Sequence, residues 1–202
     1  MSTLSTTNLK NPSSGSNNIV LATDGSATIA TLSSTTITGT TIQGTIKSGT
    51  SVASTSGTSI DFTSIPSWVK RITVMFNGVS TNGSSIVQVQ LGTSSGVTAS
   101  GYLSAAWAGG SSNAGSTSTT GFAAMYSQAA ASTMMGHLVI TNISGNSFIA
   151  SGAVGYQPTT ANIVTACAGN VTLSGTLDRV RITTVSGTDT FDAGTVNIMY
   201  EG

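Results

Sequence analysis

Ile72, Val74 and Phe76 alternate with Arg71, Thr73 and Met75, and Val87, Val89 and Leu91 alternate with Gln88 and Gln90. Successive side chains of a strand leave opposite faces, so a period of two predicts two strands, each burying at least one face. Both lie between Gly57 and Gly92, the first part of the chain with sustained apolar runs. Asn77-Gly78 and the residues up to Gly83 separate them, and this spacing predicts a turn, because Asn and Gly tolerate positive φ. Pro66 has no N–H to give to a ladder, so Ile65-Pro66-Ser67 belongs just ahead of the first strand.

Short apolar runs continue at the intervals of a sandwich or barrel. Expected strands cover 101–107, 119–126, 136–143, 147–154, 170–173, 177–184 and 195–200, with Gly-containing turn signals between them. Residues 125–135 include Ala129-Ala130-Ala131, the only helix-forming composition, and are expected to make a turn or at most one helical turn. The reading is all-β: a jelly-roll-like β-sandwich over residues 57–202, with a closed barrel as the alternative.

Residues 1–56 read differently. Ile19-Val20-Leu21, then Thr23-Asp24-Gly25-Ser26, then Ala27-Thr28-Ile29 suggest a short hairpin over 19–32. Beyond it Ile29, Leu32, Ile37, Ile42 and Ile46 stand alone among Thr, Ser and Gly. Such isolated aliphatics cannot build a core within one chain. Three copies around an axis could, so these five residues are the expected trimer contacts of an extended, intertwined arm or shaft. A disordered Ser/Thr linker is the competing reading.

Charge narrows the function classes. Charged residues make up 6% of the chain, against about 25% in an average soluble protein, and no Asp, Glu, Lys or Arg lies between Arg71 and Asp178. A basic surface for nucleic acid is not available, nor is a polybasic membrane contact. No apolar run is long enough to insert in a membrane as a helix, and the first residues lack the basic and apolar regions of a signal peptide. A neutral surface suits burial in a permanent assembly.

No chemistry is expected. His137 is the only histidine, and it opens the apolar run Leu138-Val139-Ile140 without a carboxylate nearby in sequence. One His and the single Cys167 do not make a metal site, and no cofactor is implied. Asp189 and Asp192 flank Phe191; paired carboxylates can cut glycosidic bonds, but here they read as loop residues accepting backbone N–H bonds. Lys70, Arg71, Arg179 and Arg181 begin strands and are expected to pair with them. Two aromatic-led loops, Trp107 to Ser116 and Tyr156 to Thr160, place rings beside amides and hydroxyls. Trp107, Asn113, Tyr156 and Gln157 are the candidate receptor contacts, with a neutral host-surface glycan as the ligand class that fits; the competing reading is that Trp107 and Tyr156 simply close the ends of the sandwich.

The opening Asn8-Leu9-Lys10-Asn11-Pro12-Ser13-Ser14-Gly15 through Asp24-Gly25-Ser26 resembles that of virion structural proteins of tailed bacteriophages, marine and cyanobacterial ones above all. Ile65-Pro66-Ser67-Trp68-Val69-Lys70-Arg71-Ile72 and the ending from Leu177-Asp178-Arg179-Val180-Arg181 to Met199-Tyr200-Glu201-Gly202 are similar to a C-terminal module of phage fibre-like proteins. The resemblance implies a homotrimer in the virion, held to other tail or capsid proteins through its N-terminal arm. It implies a β-rich distal domain and no catalytic residue. A tail-fibre-like protein whose tip meets the host surface is the first expectation. A purely structural capsid fibre or decoration is the second, and a polysaccharide-degrading tailspike a distant third.

Overall fold

The computed structural model describes residues 46–108, 114–130, 132–157 and 162–202, with residues 8–9, 13, 15, 19–21, 23 and 27–29 ahead of them. The chain divides into two units, residues 1–42 and 43–202. In the first, β1 (Asn8–Leu9), β2 (Ile19–Leu21) and β3 (Ala27–Ile29) form an antiparallel sheet in that order. The expected hairpin is the β2–β3 pair, with Ile19 opposite Ile29 and Leu21 opposite Ala27.

The second unit opens with β4 (Ile46–Ser48) and β5 (Val52–Ala53), followed by β6 (Ser59–Phe62), β7 (Arg71–Thr81), β8 (Val87–Thr93) and β9 (Gly96–Val97). Next come β10 (Leu103–Ala108), β11 (Ala114–Ser118) and β12 (Phe122–Ala123). The chain ends with β13 (Thr133–Ser144), β14 (Ser147–Gln157), β15 (Ile163–Thr172), β16 (Arg179–Thr184) and β17 (Phe191–Glu201). A large antiparallel sheet runs β11-β10-β15-β14-β13-β7-β17-β4, with β5 also on β17. A small one runs β12-β8-β16-β6, with β9 on β8.

The all-β expectation holds: the described residues contain no helix, and every strand pair is antiparallel. The jelly-roll refinement is not carried by this strand order, because a jelly roll has eight strands in two Greek keys whereas these sheets are unequal. Of the expected helix-forming stretch, Ala130 lies in a turn, and Ser132 N–H donates to the Ala129 carbonyl.

The core lies between the sheets. Ile72, Val74 and Phe76 of β7, with Leu138 and Ile140 of β13, supply the large-sheet side, and Val87, Val89 and Leu91 of β8, with Val180 and Ile182 of β16, the small-sheet side. All are buried, as their alternation requires. Leu138, Val74 and Ile198 stand opposite one another across three adjacent strands. The other face of β8 is also covered. Gln88 is buried, and its side-chain carbonyl accepts from the hydroxyls of Ser118 and Thr120, each at 3.0 Å. These bonds clasp the β11–β12 connection to the small sheet.

Several expected boundaries move. Asn77-Gly78 is not a turn: β7 continues through it to Thr81, and Gly78, with φ of 64°, lies where the β7–β17 ladder slips register. Residues 119–126 hold only the two-residue β12, whereas Ala114–Ser118, expected within a loop, is an edge strand. β15 starts at Ile163 rather than 170, because its alanines and glycine hide the alternation. The boundary expected at residue 57 also shifts, since β4 and β5 complete the ladder of β17.

Register gives the domain two ends. Ile46, Glu201, Arg71, Thr141, Ile149, Asn170 and Leu103 align across the large sheet at one end. This is the root end, where the chain joins the sheet at Ile46. The β10–β11 and β14–β15 hairpins close at the opposite, far end, beyond the Ala108–Ala114 and Tyr156–Ile163 pairs.

Candidate contact surfaces

Trp107 does not lead a loop. It sits in β10 on the outer face of the large sheet, 50% exposed. Its indole lies over Gly115 of β11, where even a Cβ would come within 2.9 Å of the ring. Tyr156 fails as a receptor contact. Its side chain points into the core and is 4% exposed. The Ser132 hydroxyl donates to its phenol oxygen at 3.2 Å, and Tyr126 packs edge-on with ring centroids 6.4 Å apart. Alternation decides the matter: Val154 and Tyr156 share the inward face of β14, and Gln157 faces out. Gln157 is exposed at the far end. Asn113 lies outside the described residues.

Of the expected trimer contacts, Leu32, Ile37 and Ile42 lie outside the described residues, and Ile29 is described only through its pairing in β3. Ile46 is in β4, opposite Glu201, and is 58% exposed.

The ionisable groups are spread out. His137 is in mid-β13 rather than at a strand end, exposed between Ala153 and Met75 of the flanking strands. The Asp189 carboxylate accepts the Ser85 backbone N–H at 2.7 Å, the loop role expected of it. Asp192 is exposed on β17. Neither aspartate takes an arginine, contrary to expectation. Arg71 pairs with Glu201 at 3.1 Å and Arg179 with Asp178 at 3.2 Å. Arg181 binds Asp61 through two bonds of 2.7 and 2.8 Å. Antiparallel register explains the first and third pairs, since each sets its partners directly opposite. Half-exposed pairs of this kind contribute about 1 kcal/mol or less.

Two buried groups have shifted acidity. Burial pushes the Cys167 thiol up to about 12, and its S–H is directed at the Ala124 carbonyl 2.9 Å away. Burial likewise pushes the Tyr102 phenol up to about 12, against the smaller opposing effect of its backbone hydrogen bond with Leu91. The Leu91 N–H donates to that phenol oxygen at 2.7 Å. Both groups are neutral packing elements. A thiol of this kind is not a nucleophile at neutral pH.

The sequence reading missed the outer face of the large sheet. Register places Trp107, Ala166, Ala153, His137 and Met75 in one row across five strands. The next row is Ala105, Ala168, Ser151, Val139 and Thr73. Leu103, Met135, Ile149 and Val164 are exposed on the same face. A groove of about 530 Å³ opens beside Leu103 and Ala105, bounded by Thr117 and Asn170. On the small sheet the outer face is polar. A concavity of about 260 Å³ there is lined by Gln90, Arg181, Thr183 and Ser59. No protein-family model, curated protein or solved structure gives a significant match to this chain.

Proposed function

We propose that the chain is a structural subunit of a tailed-phage virion, a homotrimeric fibre-type protein anchored through its N-terminal residues. The observation that carries this reading is the polarity of the sandwich. The chain joins the large sheet at Ile46, at the root end, and the β10–β11 and β14–β15 hairpins close at the other. In a subunit held by what precedes Ile46, those hairpins lie at the end of the sandwich opposite the one where the chain enters it. The isolated aliphatics from Ile29 to Ile46 and the phage-like N- and C-terminal sequences support the same reading. Receptor contact then falls to the far end, where exposed Gln157 offers neutral hydrogen bonding suited to a glycan. Many copies per particle would raise weak contacts to useful avidity.

One observation favours a second reading, the capsid fibre or decoration that binds no receptor. Neither aromatic expected to stack on a sugar is presented at the far end: Tyr156 is buried and Trp107 lies on the flat of the sheet.

Deletion of residues 2–26 tests the anchor. The shortened protein should remain folded and be lost from assembled particles; incorporation at the normal level would overturn the reading. Binding of the intact protein to host envelopes, weakened by Gln157→Ala, separates the two roles. No binding by the intact protein leaves the decoration role.

A further inference from the structure

We infer that the outer face of the large sheet, over β10, β15, β14 and β13, is where further copies of this chain pack. The number of copies, three, rests on the fibre reading above. So does the direction in which the copies stand, whereas surface composition, charge and size are properties of the face alone.

The first is composition at the surface. Leu103, Trp107, Met135, Ile149 and Val164 are exposed on these four neighbouring strands, with Val164 at 65% and Leu103 at 69%. Alanines and Ser151 lie between them, so the centre is low and a partner can approach closely. Soluble monomers seldom expose contiguous apolar patches beyond a few hundred Å².

The second is charge. These strands belong to the segment between Arg71 and Asp178 that holds no Asp, Glu, Lys or Arg. The nearest charges in register, Arg71 and Glu201, are paired with each other at the root-end corner. His137 is the one ionisable side chain in the rows of this face, so like faces can meet without burying a carboxylate, ammonium or guanidinium.

The third is size. Strands stand about 4.8 Å apart and rise about 3.3 Å per residue, so the four strands, of six to twelve residues each, cover roughly 600 Å² in plan. Corrugation by side chains brings this close to the roughly 800 Å² per partner of a stable interface.

The fourth is direction, and it selects the occupant. The face runs along the strands from the root end to the far end. On the fibre reading, copies joined through their N-terminal residues each enter the sandwich at the root end, and copies standing side by side fit that arrangement. A lateral face can be shared in that arrangement, and an end surface cannot. The neutral groove beside Leu103 offers relief in which an apolar side chain of the neighbour can seat.

The test uses the full chain. Ala153→Lys and Ala166→Lys each put a charge at the centre of the face, at exposed positions that need no repacking within the subunit. Light scattering should show a threefold loss of mass for each, with the β-sheet circular dichroism and cooperative unfolding of the parent. Trp68→Phe leaves Trp107 as the sole tryptophan. Iodide should then quench its fluorescence several-fold less in the assembled protein than after dilution to monomers. This second measurement needs no charge variant to fold. Lysine variants of parental mass, or a Trp107 quenched equally in both states, overturn the inference. If such variants still enter particles, the fibre reading stands without it. Conversely, loss of mass in the lysine variants together with normal incorporation of the 2–26 deletion keeps the face and removes the fibre reading. Monomeric parent protein, or Trp107 shielded only when host envelopes are added, also overturns it, the latter in favour of a foreign partner.

Discussion

Gly194 sets a limit that no other residue can meet. Its φ is 92°, and a Cβ there would press into the backbone of Gly78 on the neighbouring strand. Gly78 also has positive φ, but open space where its own Cβ would be. Gly78→Ala should therefore cost about 1 kcal/mol through backbone strain alone, and Gly194→Ala clearly more; urea denaturation will rank them. The buried acids make a second residue-scale prediction. Cys167 and Tyr102 hold their protons in the fold up to about pH 12, and in the unfolded chain they release them near 9 and 10. Above pH 9 the unfolded state thus binds fewer protons than the native one, and stability falls as pH rises. Thermal unfolding should show a midpoint that is level with respect to these groups below pH 9 and declines from there toward pH 12. Single residues were the least legible part of the sequence. Trp107 and Tyr156 both read as ring-led loops, yet strand phase turns one outward and the other inward, and that phase is fixed by partners far away in the chain. Asp189 was legible because an Asp in a Gly/Thr loop accepts local N–H groups whatever the tertiary context.

Elements were legible where burial is one-sided. The strands β7, β16 and β17 show their period because large aliphatics face the core and more polar residues the other side; β8 shows it with both faces buried, because Gln88 and Gln90 alternate with Val87, Val89 and Leu91. β15 and β11 were hidden because Ala, Gly, Ser and Thr stand on both faces, and pattern cannot separate such a strand from a loop. The Asn-Gly signal was real in conformation and misleading in consequence: it marks a left-handed residue, which here serves a bulge. The same logic predicts where the elements are weak. Leu138 stands between Val74 of β7 and Gly152 of β14 and is fully buried, so Leu138→Ala should cost about 2–5 kcal/mol. Chemical denaturation measures that loss, and a value below 1 kcal/mol would place the main core elsewhere.

At the scale of the whole molecule, the class of fold followed from spacing and composition, because evenly separated apolar runs without charge have few arrangements other than stacked sheets. The allocation of strands between two sheets was not legible, since it depends on pairings between residues more than a hundred positions apart, such as Arg181 with Asp61. Nor was the place of β4 and β5, whose few residues take their structure wholly from β17. That placement has a mechanical consequence. Any pull on the residues before Ile46 enters the sandwich through β4, which lies antiparallel along β17, and β17 in turn is bonded to β7 in the body of the sheet. Pulled lengthwise from the root end, β4 must slide along its neighbour, so its hydrogen bonds share the load instead of opening one after another. Behind β4, Gly49 N–H donates to the Ile198 carbonyl at 2.7 Å. Ser54 grips the bulged segment twice, its N–H on the Gly194 carbonyl at 2.9 Å and its hydroxyl on the Ala193 carbonyl at 2.7 Å. A domain tethered this way meets tension as a lap joint does, in shear, and carries the strain into its longest strands.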